Sequence, residues 1–420
     1  MKTKRLFRCT LFTLCLGVSF PCRGAELITY EDFLKEAQEN NPGVQAAYNR
    51  WQAEVSRTDA VKALPDPKLT YSYFIESVET RTGPQEHKAG ISQQFPWFGK
   101  LDAKQSAQRA RADSAYEQYR AARLKLAFDV RRAYAGSWLL QRETDLTRQN
   151  IQLLENIERV AESRVRSGAS ASEVIKTRLE LAQLRQRLRT LDEQRIPVSA
   201  ALNAALNRDA QTPVPEIREL ELHTFASDKI TFDTLANNPD LIALLHAQNS
   251  AEADIRAARK NGLPDFTLGI EWIGIGDTSS TVSDSGKDAW MAGVGITLPL
   301  WRGKYQAEVN RATYLRDGFD FARRQTVNAL RTELEAALAD YREAEQKITL
   351  YRETILPQAG QLMELSETDY RSGETSFLDL IDTQRSILRY QLELAHAEAD
   401  SQIHLASIEM MIGKELTDEK

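Results

Sequence analysis

Beyond residue 22 this 420-residue chain has no cysteine: Cys9, Cys15 and Cys22 are the complement. The remainder therefore holds neither a disulfide framework nor a thiolate metal site. It also has no apolar run of about 18 residues, the minimum for a spanning helix, and no proline between Leu101 and Val165. Missing too are a G-x-S-x-G elbow, a Walker-type loop, a G-x-G-x-x-G opening a helix, an H-E-x-x-H pair and a cysteine nucleophile, so no sequence feature supports an enzyme. His87, His223, His246, His396 and His404 are scattered, which gives no metal-ligand spacing and no expected cofactor. At 42% hydrophobic and 27% charged, the composition excludes both a disordered acidic tail and a polytopic helical membrane protein.

What is present begins with an export signal. Lys2, Lys4, Arg5 and Arg8 precede the apolar stretch Leu11 to Phe20, and Gly24 with Ala25 offers a cleavage site. Removing residues 1 to 25 takes away five basic groups and no acid, so the net charge falls from -6 to -11. A nucleic-acid partner is thereby disfavoured. Cys22 is a candidate for lipid attachment, although Ser19, Phe20 and Pro21 fit the small-residue pattern poorly.

The rest reads as two copies of one unit, residues 26 to 216 and 217 to 420. Asn41-Pro42 returns as Asn238-Pro239, Leu64-Pro65-Asp66 as Leu263-Pro264-Asp265, Pro96-Trp97-Phe98-Gly99-Lys100 as Pro299-Leu300-Trp301-Arg302-Gly303-Lys304, and Arg166-Ser167-Gly168 as Arg371-Ser372-Gly373. Conserved order with slowly drifting offset marks an internal duplication. Each copy predicts a helix (about 42 to 63 in the first), two alternating strands, a very long helix, a glycine turn and a returning helix. The long helices run from 101 to 165 and 304 to 370, with a kink expected at Pro357; the returning helices cover 170 to 205 and 376 to 411. Leu139, Leu146, Leu153 and Val160, and Val174, Leu181 and Leu188, recur every seven residues, the period of helices packed side by side. The turns at Gly168 and Gly373 make helical hairpins.

The strands, about 68 to 76, 88 to 95, 266 to 274 and 289 to 298, alternate with period two, as in Leu69, Tyr71, Tyr73 and Ile75 or Phe266, Leu268, Ile270 and Trp272. Their length approaches the ~9 to 11 residues of a tilted membrane strand. Polar loops, Val78 to His87 and Gly276 to Asp288, fit a water-exposed rim. A bilayer tolerates no unpaired strand edge, and four strands cannot close a barrel; two chains would supply eight strands and three would supply twelve.

The duplicated plan, the Phe95-Pro96-Trp97-Phe98-Gly99-Lys100 strand exit, the Tyr370-Arg371-Ser372-Gly373 turn and the Ser376-Phe377-Leu378-Asp379-Leu380-Ile381-Asp382 helix start resemble the TolC family of outer-membrane efflux ducts. The resemblance implies a mainly α fold with a membrane β-barrel portion: a homotrimer whose twelve-stranded barrel lies in outer-membrane lipid above an α-helical periplasmic tunnel. It also implies docking to a periplasmic adaptor and an inner-membrane pump. The exit and helix-start motifs are most similar to the branch serving heavy-metal resistance-nodulation-division (RND) pumps; multidrug or other small-molecule efflux is the alternative cargo. By the same resemblance Asp379 and Asp382 line a periplasmic gate, and Glu173, Lys176, Gly168, Tyr370, Arg371 and Gly373 form the tip network and adaptor-docking surface. Ser376 and Asp379 also fit a helix-capping box. A periplasmic adaptor would carry one hairpin rather than two, and a purely structural coiled coil would leave the Trp272, Trp290 and Trp301 region unexplained.

Overall fold

A computed structural model describes residues 29 to 416 except 169, 218 and 279 to 282. The signal segment and Cys22 lie outside the described residues. Among the described residues, eight α-helices and four strands follow in the order α1 (Tyr30–Asn40), α2 (Pro42–Lys62), β1 (Lys68–Thr80), β2 (Gly83–Phe95), α3 (Lys100–Arg166), α4 (Ser172–Ala205), α5 (Pro239–Asn261), β3 (Phe266–Ile275), β4 (Ala289–Ile296), α6 (Arg302–Leu350), α7 (Leu356–Ser372) and α8 (Phe377–Ile412). Short 3-10 turns at Ser227–Lys229 and Phe232–Asn237 link the two halves.

Local chemistry sets the boundaries. Asn41 and Asn238 each cap the helix that follows, their side chains accepting two backbone N–H groups, and Pro42 and Pro239 occupy the first helical position. With 67 residues, α3 is unbroken over about 100 Å. In the second copy the expected kink takes the form of a π-helical turn at Tyr351–Ile355, directly before Pro357. Proline lacks the N–H that would bond four residues back and its ring crowds that carbonyl, so the helix widens there. α1 is an addition to the expected set, started by a capping box in which the Thr29 side chain and Asp32 bond each other's backbone N–H groups.

The strands form one antiparallel sheet in the order β1-β2-β3-β4, so the first copy pairs with the second through β2 and β3. β1 and β2 are longer than expected, and the segment Val78 to His87 is not a flexible loop. It closes as a tight hairpin around Arg81 and Thr82, where Thr80 pairs with Gly83. Gly83 (φ 135°) is required there because a Cβ would strike the Gly276 carbonyl. One face of the sheet carries Leu69, Tyr71, Ile91, Ile270, Trp290 and Val294, all exposed apart from partners in their own row. The other carries Thr70, Ser92 and Thr267, four glycines, and an ion pair between Lys88 and Glu271 (2.9 Å). An apolar outer face over a polar inner one is the pattern of a membrane barrel wall. No described helix is long and apolar enough to cross a membrane.

Beneath the sheet, α3 packs between α2 and α5, and α4 and α8 return along it. Among the described residues, three buried clusters hold this wall. One joins α1 to α3 and α4 through Phe33, Val130, Tyr134, Trp138 and Leu202; one joins α6 to α8 through Leu334, Leu338, Tyr341, Leu405 and Ile408; the third lies near the hairpin turns. Each fully buried side chain of this size contributes about 1.5 to 3 kcal/mol. The seven-residue stripe is shifted from its expected place. Leu146 is buried, but Val160 is exposed, and Leu154, Ile157 and Ala161 take the core positions, as a 3.6-residue helix drifts relative to a strict heptad.

Candidate functional site

At the end of the hairpins farthest along the chain from the sheet, both turns depend on glycine. Gly168 and Gly373 adopt φ of 99° and 87°, the left-handed region that costs other residues about 1 to 2 kcal/mol. Among the described residues neither glycine has a neighbour within 4 Å of where a Cβ would sit, so backbone conformation rather than packing selects it.

Tyr370 ends α7 almost wholly buried, and its hydroxyl donates to Glu173 Oε2 on α4 at 2.8 Å. Burial and this carboxylate push the phenol up to about 12. Arg164, at the end of α3, donates to the Tyr370 carbonyl at 2.8 Å, and its guanidinium lies 4.3 Å from the ring centroid. The two hairpins are thus latched to each other through Tyr370.

Asp379 is exposed at the start of α8 and accepts hydrogen bonds from Ser376 Oγ (2.7 Å) and Thr375 Oγ1 (3.3 Å), while Ser376 caps its N–H. Chiefly the Ser376 hydroxyl holds its carboxyl below the ordinary range. Ser376 thus caps the helix, but the reciprocal bond of Asp379 runs to the serine hydroxyl rather than to its backbone N–H, so half of the expected capping box forms. Asp382, one turn on, is also exposed but pairs with Arg385 (3.2 Å). Arg385 reaches on to Glu180 of α4, and that carboxylate strengthens its hold on the proton. This makes a second link between hairpins.

Glu173 and Tyr370 therefore come together. Arg371 does not join them; it pairs along its own helix with Glu367 (3.6 Å). Lys176 is exposed on α4, and among the described residues it makes no ion pair in its own chain. Sequence reasoning missed Arg164, Glu180 and Arg385. Only Arg385 carried a signal, its position three residues after Asp382.

At the opposite end, where strand passes into helix, Lys100 Nζ meets Asp265 Oδ1 at 2.7 Å with both side chains mostly covered. Asp265 also accepts from the Trp97 N–H (2.9 Å) and Gln94 Nε2 (3.2 Å), and Trp97 stacks on Phe266. The exit motif of one copy thus docks on the Leu-Pro-Asp motif of the other. No group of three or more His, Cys, Asp or Glu able to hold a metal ion occurs among the described residues.

A sheet with an apolar outer face, set on paired helices of about 100 Å, defines a class: a membrane channel wall carried on a helical conduit. The chain belongs to the outer membrane efflux protein family, whose model matches residues 33–208 and 232–414. It is 26% identical over 332 residues to the pyoverdine export outer membrane protein OpmQ of Pseudomonas putida, covering 74% of this chain and 67% of that one. It is 24% identical over 386 residues to nodulation protein T of Rhizobium leguminosarum bv. trifolii, covering 87% and 81%. Its fold matches the crystal structure of CusC with a TM-score of 0.77 at 18% identity, over 92% of each chain. The protein is accordingly an outer-membrane efflux channel component and not an enzyme.

Proposed function

We propose that three copies of this chain close a twelve-stranded barrel in the outer membrane and a helical tunnel below it. Together they form the exit duct of a tripartite system fed by a periplasmic adaptor and an inner-membrane RND-type pump. The observation that carries this is the open sheet: β1 and β4 each present a bare edge within the chain, and hydrocarbon makes each unpaired backbone group cost several kcal/mol. Gly168 and Gly373 shape the turns that an adaptor's helical hairpin would read.

Around the trimer axis, Asp379 and Asp382 would set two tiers of three carboxylates. Rings of this kind attract cations and repel anions in a narrow pore. Arg385 offsets part of the Asp382 charge, so the main attraction falls to Asp379. Glu173, Lys176, Tyr370 and Arg371 belong to the surrounding tip, where Tyr370 and Glu173 keep the hairpins together and the entrance narrow.

For cargo we infer heavy-metal cations, supported by the strand-exit and α8-start motifs and by the acidic entrance. Export of an organic compound is the second reading, favoured by the likeness to a pyoverdine exporter. Efflux of radiolabelled metal and of dyes from cells with and without the protein separates them: metal retained only in the deletion supports the first, dye retained alone supports the second. A chain that stays soluble after osmotic shock would reject the duct.

A further inference from the structure

α1 and the linker between α4 and α5 mark the outer side of the helical wall, because a duct keeps its bore clear. The Tyr30 hydroxyl reaches the Ala127 carbonyl on α3, and its ring lies 4.5 Å from the Arg131 guanidinium. On α6, Phe225 of the linker rests on Tyr341 and Arg342 donates to Ser227. Helical residues turn by about 100° each, so Lys125, two before Ala127, lies on the opposite side, toward the bore. Lys104, Arg111 and Gln118 precede it at intervals of seven and share that side; Arg111 is half-exposed and the others are exposed. Asp254 of α5 is on the same side because it meets Arg111. At the offset set by Asn41-Pro42 and Asn238-Pro239, Asp254 and Ala247 correspond to Arg57 and Arg50 of α2, which therefore add to the basic lining. Asp254 answers Arg111, and Asp129 answers Lys125 at 3.1 Å. Arg50, Arg57 and Lys104 are exposed, and among the described residues none of them has an ion pair. Glu54 and Glu308, bonded to Gln108 and Asn261, offset this charge in part and leave the section basic.

Farther from the sheet the sign reverses. Glu143 stands five full turns below Lys125 and so on the same side of α3; it pairs with His396 (2.8 Å) and Arg187 (3.3 Å). Asp340, Glu343 and Lys347 are turned away from the linker side of α6 and share a groove with Glu393, Asp400 and His404 of α8. Lys347 answers Glu343 at 2.7 Å, so Asp340, Glu393 and Asp400 give the lower section its negative charge. Resting on the closed-duct reading above, we propose that the bore carries two opposed charged sections, acidic below and basic above, which make the duct a rectifier that passes cations outward more readily than inward. Twelve helices with axes about 8 to 10 Å apart enclose a bore of roughly 11 to 14 Å radius. Wall charge is felt across most of that radius at 0.1 M salt, where the screening length is ~10 Å, and only in a thin skin at 1 M, where it is ~3 Å. Carboxylates fill the lower section with cations, and ammonium and guanidinium groups fill the upper one with anions. A field driving cations from tip to sheet brings both carriers to the junction and raises conductance. The reverse field draws both away and depletes it, so a cation that has passed upward meets a barrier to return.

The full-length protein in planar bilayers tests this. Its long polar shaft cannot cross lipid, so the barrel enters first and the shaft stays on the side of addition. In 0.1 M KCl the single-channel current should be about twofold larger with the shaft side positive than with it negative, and the ratio should fall toward one in 1 M KCl. Arg50→Gln, Arg57→Gln and Lys104→Gln together should abolish the asymmetry while the channel still conducts, since none of the three has an ion pair to lose. Arg109, two residues before Arg111 and exposed on the outer side of α3, supplies the control: Arg109→Gln should keep the ratio of the unmodified protein. A linear current-voltage relation at 0.1 M, an asymmetry that survives the triple variant, or one that Arg109→Gln removes equally would each overturn the two-section bore and leave the duct standing. A protein that never conducts overturns the duct itself.

Discussion

Replacing Tyr370 with Phe removes one hydroxyl and keeps the ring that packs 5.8 Å from Phe377 and under Arg164. The lost bond reaches a carboxylate at 2.8 Å, and hydrogen bonds to charged groups contribute about 1.5 to 3 kcal/mol net. Glu173 is only half-buried, so water recovers part of that when the hairpins separate, and the lower figure applies. At ~1.5 kcal/mol, and 1.4 kcal/mol per factor of ten, the balance between latched and separated hairpins shifts about tenfold in one chain. Three chains moving together would multiply this to roughly a thousandfold. Planar-bilayer recording should register the change as longer open time and higher mean conductance for Tyr370→Phe. Glu173→Gln should do the same, and the double variant should add little, since both remove one bond. Intact trimers of Tyr370→Phe with wild-type conductance would refute the assignment of Tyr370 as a latch.

Three further outcomes follow from the geometry. Asp379→Asn should weaken cation preference and block by multivalent cations more than Asp382→Asn does, because Arg385 already offsets Asp382; unchanged reversal potentials in Asp379→Ala with Asp382→Ala would exclude both as the selectivity ring. His396 Nε2 lies 2.8 Å from Glu143 Oε1, which raises the imidazole above its ordinary 6.5 and lowers Glu143 below its ordinary 4.5. The pair therefore contributes fully between those ordinary values and loses its effect as pH rises through the raised histidine value. His396→Gln should cost about 0.5 to 1 kcal/mol at pH 6 and nearly nothing at pH 9, and equal melting losses at both would rule out the charged bridge. Lys100→Met should destabilise by about 3 to 5 kcal/mol, because Asp265 would remain covered without its cation; a thermal melt within a degree of wild type would contradict that.

Much of this architecture is legible in the residues because it is written in local chemistry. Freedom from proline between Leu101 and Val165 and the alternation of Leu268, Ile270 and Trp272 need no tertiary knowledge to read. The hairpin at Arg81 and Thr82 was hidden because polar residues such as Glu79, Thr80 and Gln85 suit an exposed strand tip as well as a loop. α1 escaped notice because its eleven residues adjoin the export signal and bury only Phe33, Leu34 and Ala37. At the tip, Asp379 is legible as a cap and as a charge, whereas Arg385 with Glu180 joins residues 205 apart in sequence. Lys100 with Asp265 joins residues 165 apart. Each motif was visible, but their meeting is a property of the assembled wall.

The π-helical turn at Tyr351–Ile355 makes the two long columns mechanically different. α3 is a single girder from strand to tip, so load applied at its lower end reaches the sheet without a joint. The companion column has an articulation 17 residues above its end, the length of α7, or about 25 Å. Tilting that lower arm by ~10° would displace its end by roughly 4 Å while the shaft above stays fixed. Widening of the mouth would thus fall to the second copy, with the first serving as the stationary frame.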